Sequence, residues 1–496
     1  MRKIRLRAAA HHPFRRSTIL AATALLISTQ LVFAASVGVA SLASRTSPFA
    51  GCTAGTTAIG TVFENAEVEP WVDVNPTDPT NVIGVWQQDR WTDGGSHSND
   101  TAYSMDGGLT WSYPPLIPWS TCSGSAEARY ARATDPWVSF GPTGTAHAIA
   151  LSLDPNGFTT AILASRSTNK GATWSAPKVL IDDNDLRFFN DKESITADPT
   201  NSNVYAVWDR IYKPGQAKGF PAQVNSFAFR GFPYLARSTD NGQTWEPARR
   251  ISSNANLFTI GNQIVVLPDG TLIDFAAYFT GSGVQPSNHG WKAVFRSTDH
   301  GVTWSKKPIL IDKVTEVGTR IPDGSFPVRA GGDDIAVDPE TGDLYAAWTD
   351  SRFNDGTHND IVVSKSTDGG LTWSAPAKAS KNPVGVAAFT PSIHVNGDGD
   401  VAITYYDFRN AVAGPAVATD FWIDISSDGA ATWAESRLTA ASFDITTAPV
   451  APASRGYFLG DYEGLSSAGS TFYNLYVVTT GNPANRTDVI SQRVDP

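Results

Sequence analysis

The stretch Ser366-Thr367-Asp368-Gly369-Gly370-Leu371-Thr372-Trp373 decides the fold, because it recurs. Residues 104–111, 167–174, 238–245, 297–304 and 426–433 repeat its pattern, Ser-x-Asp-x-Gly-x-Thr-Trp. Asn169 replaces the Asp in one copy, and Ala430 replaces the Gly in another. Each residue type has a local reason. The Asp can accept backbone N–H bonds inside a turn, and the Gly supplies a positive φ that other residues resist. Thr and Trp suit the start of a strand, where the indole can anchor a hairpin in the core.

Working outward, a second pattern fills the intervals between these turns. Pro70-Trp71-Val72-Asp73-Val74 leads through a Pro/Asp/Asn turn to Val82-Ile83-Gly84-Val85-Trp86. Comparable pairs of short runs begin at Asp135, Glu193, Gln263, Asp334, Pro391 and Glu463. Short hairpins at this regular spacing read as four-stranded units: an inner strand, a second, a third ending in the repeated turn, and a fourth after the Trp. The expected fold is therefore an all-β propeller of four-stranded blades, with seven blades and six as the alternative. The last unit runs out after its third strand. Thr61-Val62-Phe63, near the mature N-terminus, is the candidate to complete it and close the ring.

The N-terminus reads as an export signal over residues 1–43. Arg2, Lys3, Arg5, Arg7, Arg15 and Arg16 precede an apolar run at 19–35, with small residues after it. Arg15-Arg16 leaves a twin-arginine route open beside general secretion, and cleavage could follow Ala34 or Ala43. The run is marginal for a membrane span, so no stable insertion is expected after cleavage. The remainder, 44–496, reads as one domain, secreted and monomeric. Removing six basic residues from 38 leaves 32 against 48 acidic ones, a net charge of −16. Such a body is a poor nucleic-acid binder, and an anionic ligand would need a local arginine cluster to overcome the field. Cys52 and Cys122 are the only cysteines. In an exported chain they read as one disulfide, the rival reading being lipidation at Cys52. Eight scattered histidines offer no metal-ligand spacing, so neither metal nor cofactor is expected.

Meander geometry places the repeated turns on one face of such a ring and the long loops on the other. Two residue sets point to the loop face. Arg90, Arg210, Arg352 and Arg409 follow second strands, each just after an Asp. Acids such as Glu69, Asp135, Glu193 and Asp461 open first strands, nearest the axis. The arginines could bind an acidic sugar, and the acids could protonate its leaving oxygen. The same recurrence also fits ion pairs between or within blades.

The repeated turn resembles the Asp box of the sialidase family and its propeller relatives. That resemblance covers nearly all of the chain after residue 43 as architecture. It implies a glycoside hydrolase acting on a glycan, with arginines on a substrate carboxylate, a Tyr–Glu nucleophile pair and an Asp acid/base. On that template Asp135, Glu193, Tyr462 and Glu463 are the catalytic candidates, and Arg90, Arg210, Arg352 and Arg409 the substrate-binding ones. Tyr462-Glu463 is a loose echo of the pair, since strand neighbours point to opposite faces. Arg320-Ile321-Pro322 echoes a family string but follows the fourth box rather than preceding the first. A non-catalytic glycan- or protein-binding propeller and a propeller glycan lyase are the alternative functions.

Overall fold

The computed structural model describes residues 35–58, 60–154, 159–213, 230–280, 290–451 and 456–496. The apolar run of the expected export signal, all but its final Ala35, and the long loops at 214–229 and 281–289 lie outside the described residues. The chain is all-β, its only described helical pieces being two single 3₁₀ turns.

Successive antiparallel meanders follow the sequence repeats. The first comprises Glu67–Val74, Val82–Arg90 and Ser96–Ser104, with its fourth strand reduced to a bridge between Tyr103 and Ser112. The second comprises Arg132–Phe140, Ala146–Leu153, Thr160–Ser167 and Lys178–Asp183. The third begins with Phe188–Ala197 and Val204–Tyr212, the fourth with Leu257–Val266 and Leu272–Thr280. The fifth opens on Asp333–Val337, the sixth on Ala388–Val395 and the seventh on Gly464–Ala468. Valine, isoleucine and aromatic residues dominate these strands, as pleated surfaces that pack between neighbouring sheets require. Trp86, Trp208 and Trp348 occupy one recurring position in second strands and are fully buried. Each finds an acceptor for its indole N–H, on Gln88, Asn190 and Asp350 respectively.

The hydrogen-bonded sheets are open, and they meet through their first strands, which contact one another in chain order and the seventh against the first. Side chains stitch these strands together. Asp73 accepts from Phe140 N at 2.7 Å, Ser139 Oγ from Ala197 N at 3.1 Å, and Thr196 donates to Ile264 O at 2.7 Å. Gln263 donates to Asp333 O at 3.0 Å, and Asp334 accepts from Ile393 N at 2.9 Å. Ser392 donates to Glu463 O at 2.6 Å, and Ser466 returns to Asp73 at 2.8 Å. Short polar side chains thus satisfy inner backbone groups that no ladder reaches.

The repeated turns take the geometry their composition demands. In the fifth, Asp368 accepts from Thr372 N at 2.8 Å and Thr372 Oγ1 at 2.6 Å, while Ser366 Oγ accepts from Gly370 N at 2.9 Å. Asn169 reproduces this, accepting from Thr173 N and donating to Thr173 Oγ1. Ala430 keeps the left-handed backbone, with φ 72°. The glycine also permits contact between sheets: a Cβ on Gly171 would sit 2.9 Å from Ile83 Cδ1 and 3.0 Å from Tyr103 Cβ, in the preceding meander.

One expectation is corrected at the N-terminus. Thr61-Val62-Phe63 does not complete the last meander. Val62 instead bridges Trp91, and Phe63 N donates to Arg90 O, so this segment lies against the first meander. The strand beside the C-terminal Asn485–Asp495 comes from Ser36–Val37 and Ser41–Leu42. Cys52 and Cys122 are disulfide-bonded, with Cα atoms 5.6 Å apart.

Candidate functional site

The site grows from a defect repeated in the first strands. Five of them carry a β-bulge against the second strand, at Glu69-Pro70, Asp135-Pro136, Lys192-Glu193, Gly261-Asn262 and Thr390-Pro391. The leading residue of each bulge has positive φ: 52° at Glu69, 48° at Asp135, 50° at Lys192, 75° at Gly261 and 51° at Thr390. Proline tolerates the second position because a bulge leaves its nitrogen out of the ladder. Charged or β-branched residues resist this conformation, so strain is stored at the same place in four of these strands, Gly261 being the residue that adopts it freely.

Three of these positions meet. Lys192 Nζ lies 2.6 Å from Asp461, 3.3 Å from Glu69 and 3.5 Å from Asp135. Arg329 grips both oxygens of Asp461, at 3.0 and 2.7 Å. Gln87 donates to Glu69 and, at 3.3 Å, to Asp135, and receives Arg90 Nη1 at 2.7 Å. Charge follows from this packing. Burial works against ionisation of Asp461, but Arg329 and Lys192 hold it far below the usual carboxylate range. Burial likewise opposes the charge on Asp135, which Lys192 and hydrogen bonds hold below its ordinary value. Glu69 goes the other way: burial pushes it up to about 8 against the pull of Lys192.

A cavity of about 320 Å³ opens over this cluster. Lys192, Glu193, Arg329, Asp461 and Tyr462 line it, together with Lys292, Glu316 and Asp333. Trp137 supplies an aromatic wall. It stacks on Trp71 with ring centroids 3.3 Å apart, and Tyr462 packs at 5.3 Å from it. Lys292 is ion-paired to Asp333, and Glu316 accepts from Thr349 at 3.1 Å. Glu193 differs from the rest. It is 3% exposed, and neither carboxylate oxygen has a hydrogen-bond partner. Burial pushes its carboxyl well above the ordinary range, and the neighbouring Asp135 adds to the rise.

Of the catalytic candidates read from the sequence, Glu193 and Tyr462 line the cavity and Asp135 stands behind it, beside Lys192. Glu463 does not join them. It is fully buried and accepts from Val477 N at 3.1 Å. The Tyr–Glu pair is not formed, because Tyr462 donates to Pro136 O at 3.1 Å and burial raises its phenol well above its ordinary value. Nor do the four arginines converge. Arg210 pairs with Asp183, Arg352 with Asp350 and Asp312, and Arg409 with Asp407 and Glu435. Arg352 and Arg409 meet an Asp two residues before them, and Arg210 meets Asp183 at the end of the preceding meander's last strand. Arg90 alone reaches the cluster, through Gln87.

Sequence reasoning missed Lys192, Lys292, Glu316 and Arg329. Lys192 had a signal: it occupies the bulge position of Glu69 and Asp135 in the repeat. Arg329 had none, because Val328–Arg329 pairs in parallel with Gly456–Phe458, a segment more than a hundred residues away. No group of three or more His, Cys, Asp or Glu side chains among the described residues is arranged to hold a metal. No helix among them is long and apolar enough to cross a membrane.

Parts of this chain are similar to known proteins. A sialidase of Clostridium perfringens is 26% identical over 215 residues, 41% of this chain and 51% of that protein. A xyloglucanase of a Paenibacillus species is 31% identical over 208 residues, 40% of this chain and 18% of that protein. The match thus spans about half the length of the sialidase and about a fifth of the xyloglucanase. Among solved structures, the Hadza microbial sialidase Hz136 superposes with a TM-score of 0.48 at 16% identity, covering 83% of this chain and 73% of that one. A Penicillium chrysogenum α-L-arabinanase complexed with arabinobiose gives a TM-score of 0.44 at 10% identity, covering 88% and 98%. The BNR repeat-like domain matches residues 156–442, more than half of the chain, and the chain belongs to that family.

Proposed function

We propose that this chain is an exported glycoside hydrolase built on a seven-bladed propeller, acting on a glycan bound in the cavity around Glu193. The cycle of contacts among first strands supports the ring, and the strand at residues 36–42 beside the C-terminus supports its closure. The disulfide fits an oxidising compartment. The matches to a sialidase and a xyloglucanase support a glycan as substrate.

One observation carries the chemistry: a buried carboxyl with no partner, lining a cavity beside an aromatic wall. Glu193 kept neutral can donate a proton to a leaving glycosidic oxygen, as the acid of a glycosidase must. Asp461, held ionised by Arg329 and Lys192, is a second acid lining the same cavity, an anion that can face a developing oxocarbenium charge. Asp135, a catalytic candidate in the sequence, instead helps to hold Lys192. Trp137 and Tyr462 offer faces for a sugar ring.

The test is release of sugar from a panel of sialosides, uronic-acid polysaccharides, xyloglucan and arabinan, followed with Glu193→Gln. Loss of a proton donor should lower kcat by about 10²–10⁴-fold with glycan binding retained. Full activity in Glu193→Gln would refute the assignment. Binding without release from any substrate would favour the binding module, and an unsaturated product the lyase.

A further inference from the structure

The cavity's cations are already taken. Among the described residues, Lys192, Lys292 and Arg329 line it, against four carboxylates: Glu193, Glu316, Asp333 and Asp461. Glu69 and Asp135 add two more acids behind Lys192. Lys292 is matched to Asp333. Asp461 alone engages both other cations, Arg329 through two hydrogen bonds and Lys192 at 2.6 Å. The arginines that could have met a carboxylate substrate, Arg210, Arg352 and Arg409, are paired elsewhere. The field of the whole body, net −16 after residue 43, repels anions as well.

We propose, on the glycan reading above, that Asp461 sets the charge specificity of this cavity. It occupies Arg329 and Lys192, so that the site takes neutral sugars and turns away sugars bearing a carboxylate. A uronate or sialic acid entering here would have to compete with Asp461 for a bidentate guanidinium, leaving that buried carboxylate without its partner. A neutral ring needs only hydrogen bonds and an aromatic face. The bulge in its first strand brings Lys192 to Asp461, beside the bulge residues Glu69 and Asp135. The parallel pair Val328–Arg329 with Gly456–Phe458 brings Arg329 within reach of Asp461, three residues after Phe458. Specificity therefore rests on one acid placed between two cations from different parts of the chain.

Matched sugars test this: galactose against galacturonate, glucose against glucuronate, and N-acetylneuraminate, titrated by saturation-transfer NMR at neutral pH. Wild type should bind each neutral sugar at least about tenfold more tightly than its acid, the scale of one unmade charge-assisted hydrogen bond. Asp461→Asn frees Arg329, while Glu69 and Asp135 still hold Lys192, and should shift the ratio toward the acids by about tenfold or more; Asp461→Glu should keep the neutral preference. Preference of the wild type for the acids would overturn the role given to Asp461 and leave the glycan reading standing. So would an unchanged ratio in an Asp461→Asn variant whose melting shows it folded. If that variant does not fold, the wild-type comparison decides alone. Failure of the folded wild type to bind any of these sugars would overturn the glycan reading itself.

Discussion

Arg210→Ala is expected to lower stability by about 3 kcal/mol and leave glycan binding unchanged. The guanidinium meets both oxygens of Asp183, at 2.7 and 2.6 Å, and sits 3.8 Å above the ring of Phe188. The side chains of Arg210 and Asp183 are 18% and 9% exposed, so removing the arginine leaves a largely buried carboxylate with Asn190 as its remaining donor. Breaking a buried pair from one side costs about 3–5 kcal/mol, and the residual exposure of Arg210 argues for the lower end. Loss of the stacked cation is included in that figure, at about 0.5–1 kcal/mol. Urea denaturation of wild type, Arg210→Ala, Asp183→Asn and the double variant closes a thermodynamic cycle. The double variant should recover about 2 kcal/mol of what the single variants lose together. A loss below about 1 kcal/mol in Arg210→Ala, accompanied by weaker glycan binding, would refute the structural role and restore Arg210 to the ligand.

Three further outcomes follow from the same geometry. Gly171→Ala should destabilise by about 1–3 kcal/mol, since its Cβ would meet Ile83 and Tyr103; Gly124→Ala, with positive φ but open space, should cost about 1 kcal/mol or less, and denaturation midpoints compare them. Hydrogen bonds from Thr372 and Thr244 pull Asp368 and Asp240 down to about 2, below the unfolded carboxylate near 3.9. Their contribution is therefore present above about pH 4 and lost as pH falls toward 2, and Asp368→Asn should flatten the acid limb of melting temperature against pH. Glu193 has the opposite sign. Its raised value favours the folded state below the unfolded pKa, an advantage lost as pH rises through the folded one. Glu193→Gln should accordingly melt higher than wild type at pH 8, with a smaller gain at pH 4, even as activity falls. Equal melting at both pH values would show that the carboxyl is not buried alone.

Much of the architecture was legible because it rests on local chemistry. The Ser-x-Asp-x-Gly-x-Thr-Trp turns close on their own atoms, within four residues, and even Asn169 and Ala430 keep that geometry. Hairpin spacing and strand composition are local in the same sense, and two cysteines allow one pairing within the chain. Glu193 and Tyr462 were legible as residues at first strands, whose places in the chain the repeat gives. What lay beyond the sequence was long-range partnership. Asp461 finds Lys192 and Arg329 across hundreds of residues, and the last sheet takes residues 36–42 rather than 61–63 as its neighbour. The repeated Asp and Arg after second strands looked alike for ligand and for ion pair, because a sequence records which charges exist and not which of them are nearest. Burial and distance decide that, and both come into being only when the sheets pack: Arg210 goes to Asp183, Arg329 to Asp461, and Glu193 is left with no partner.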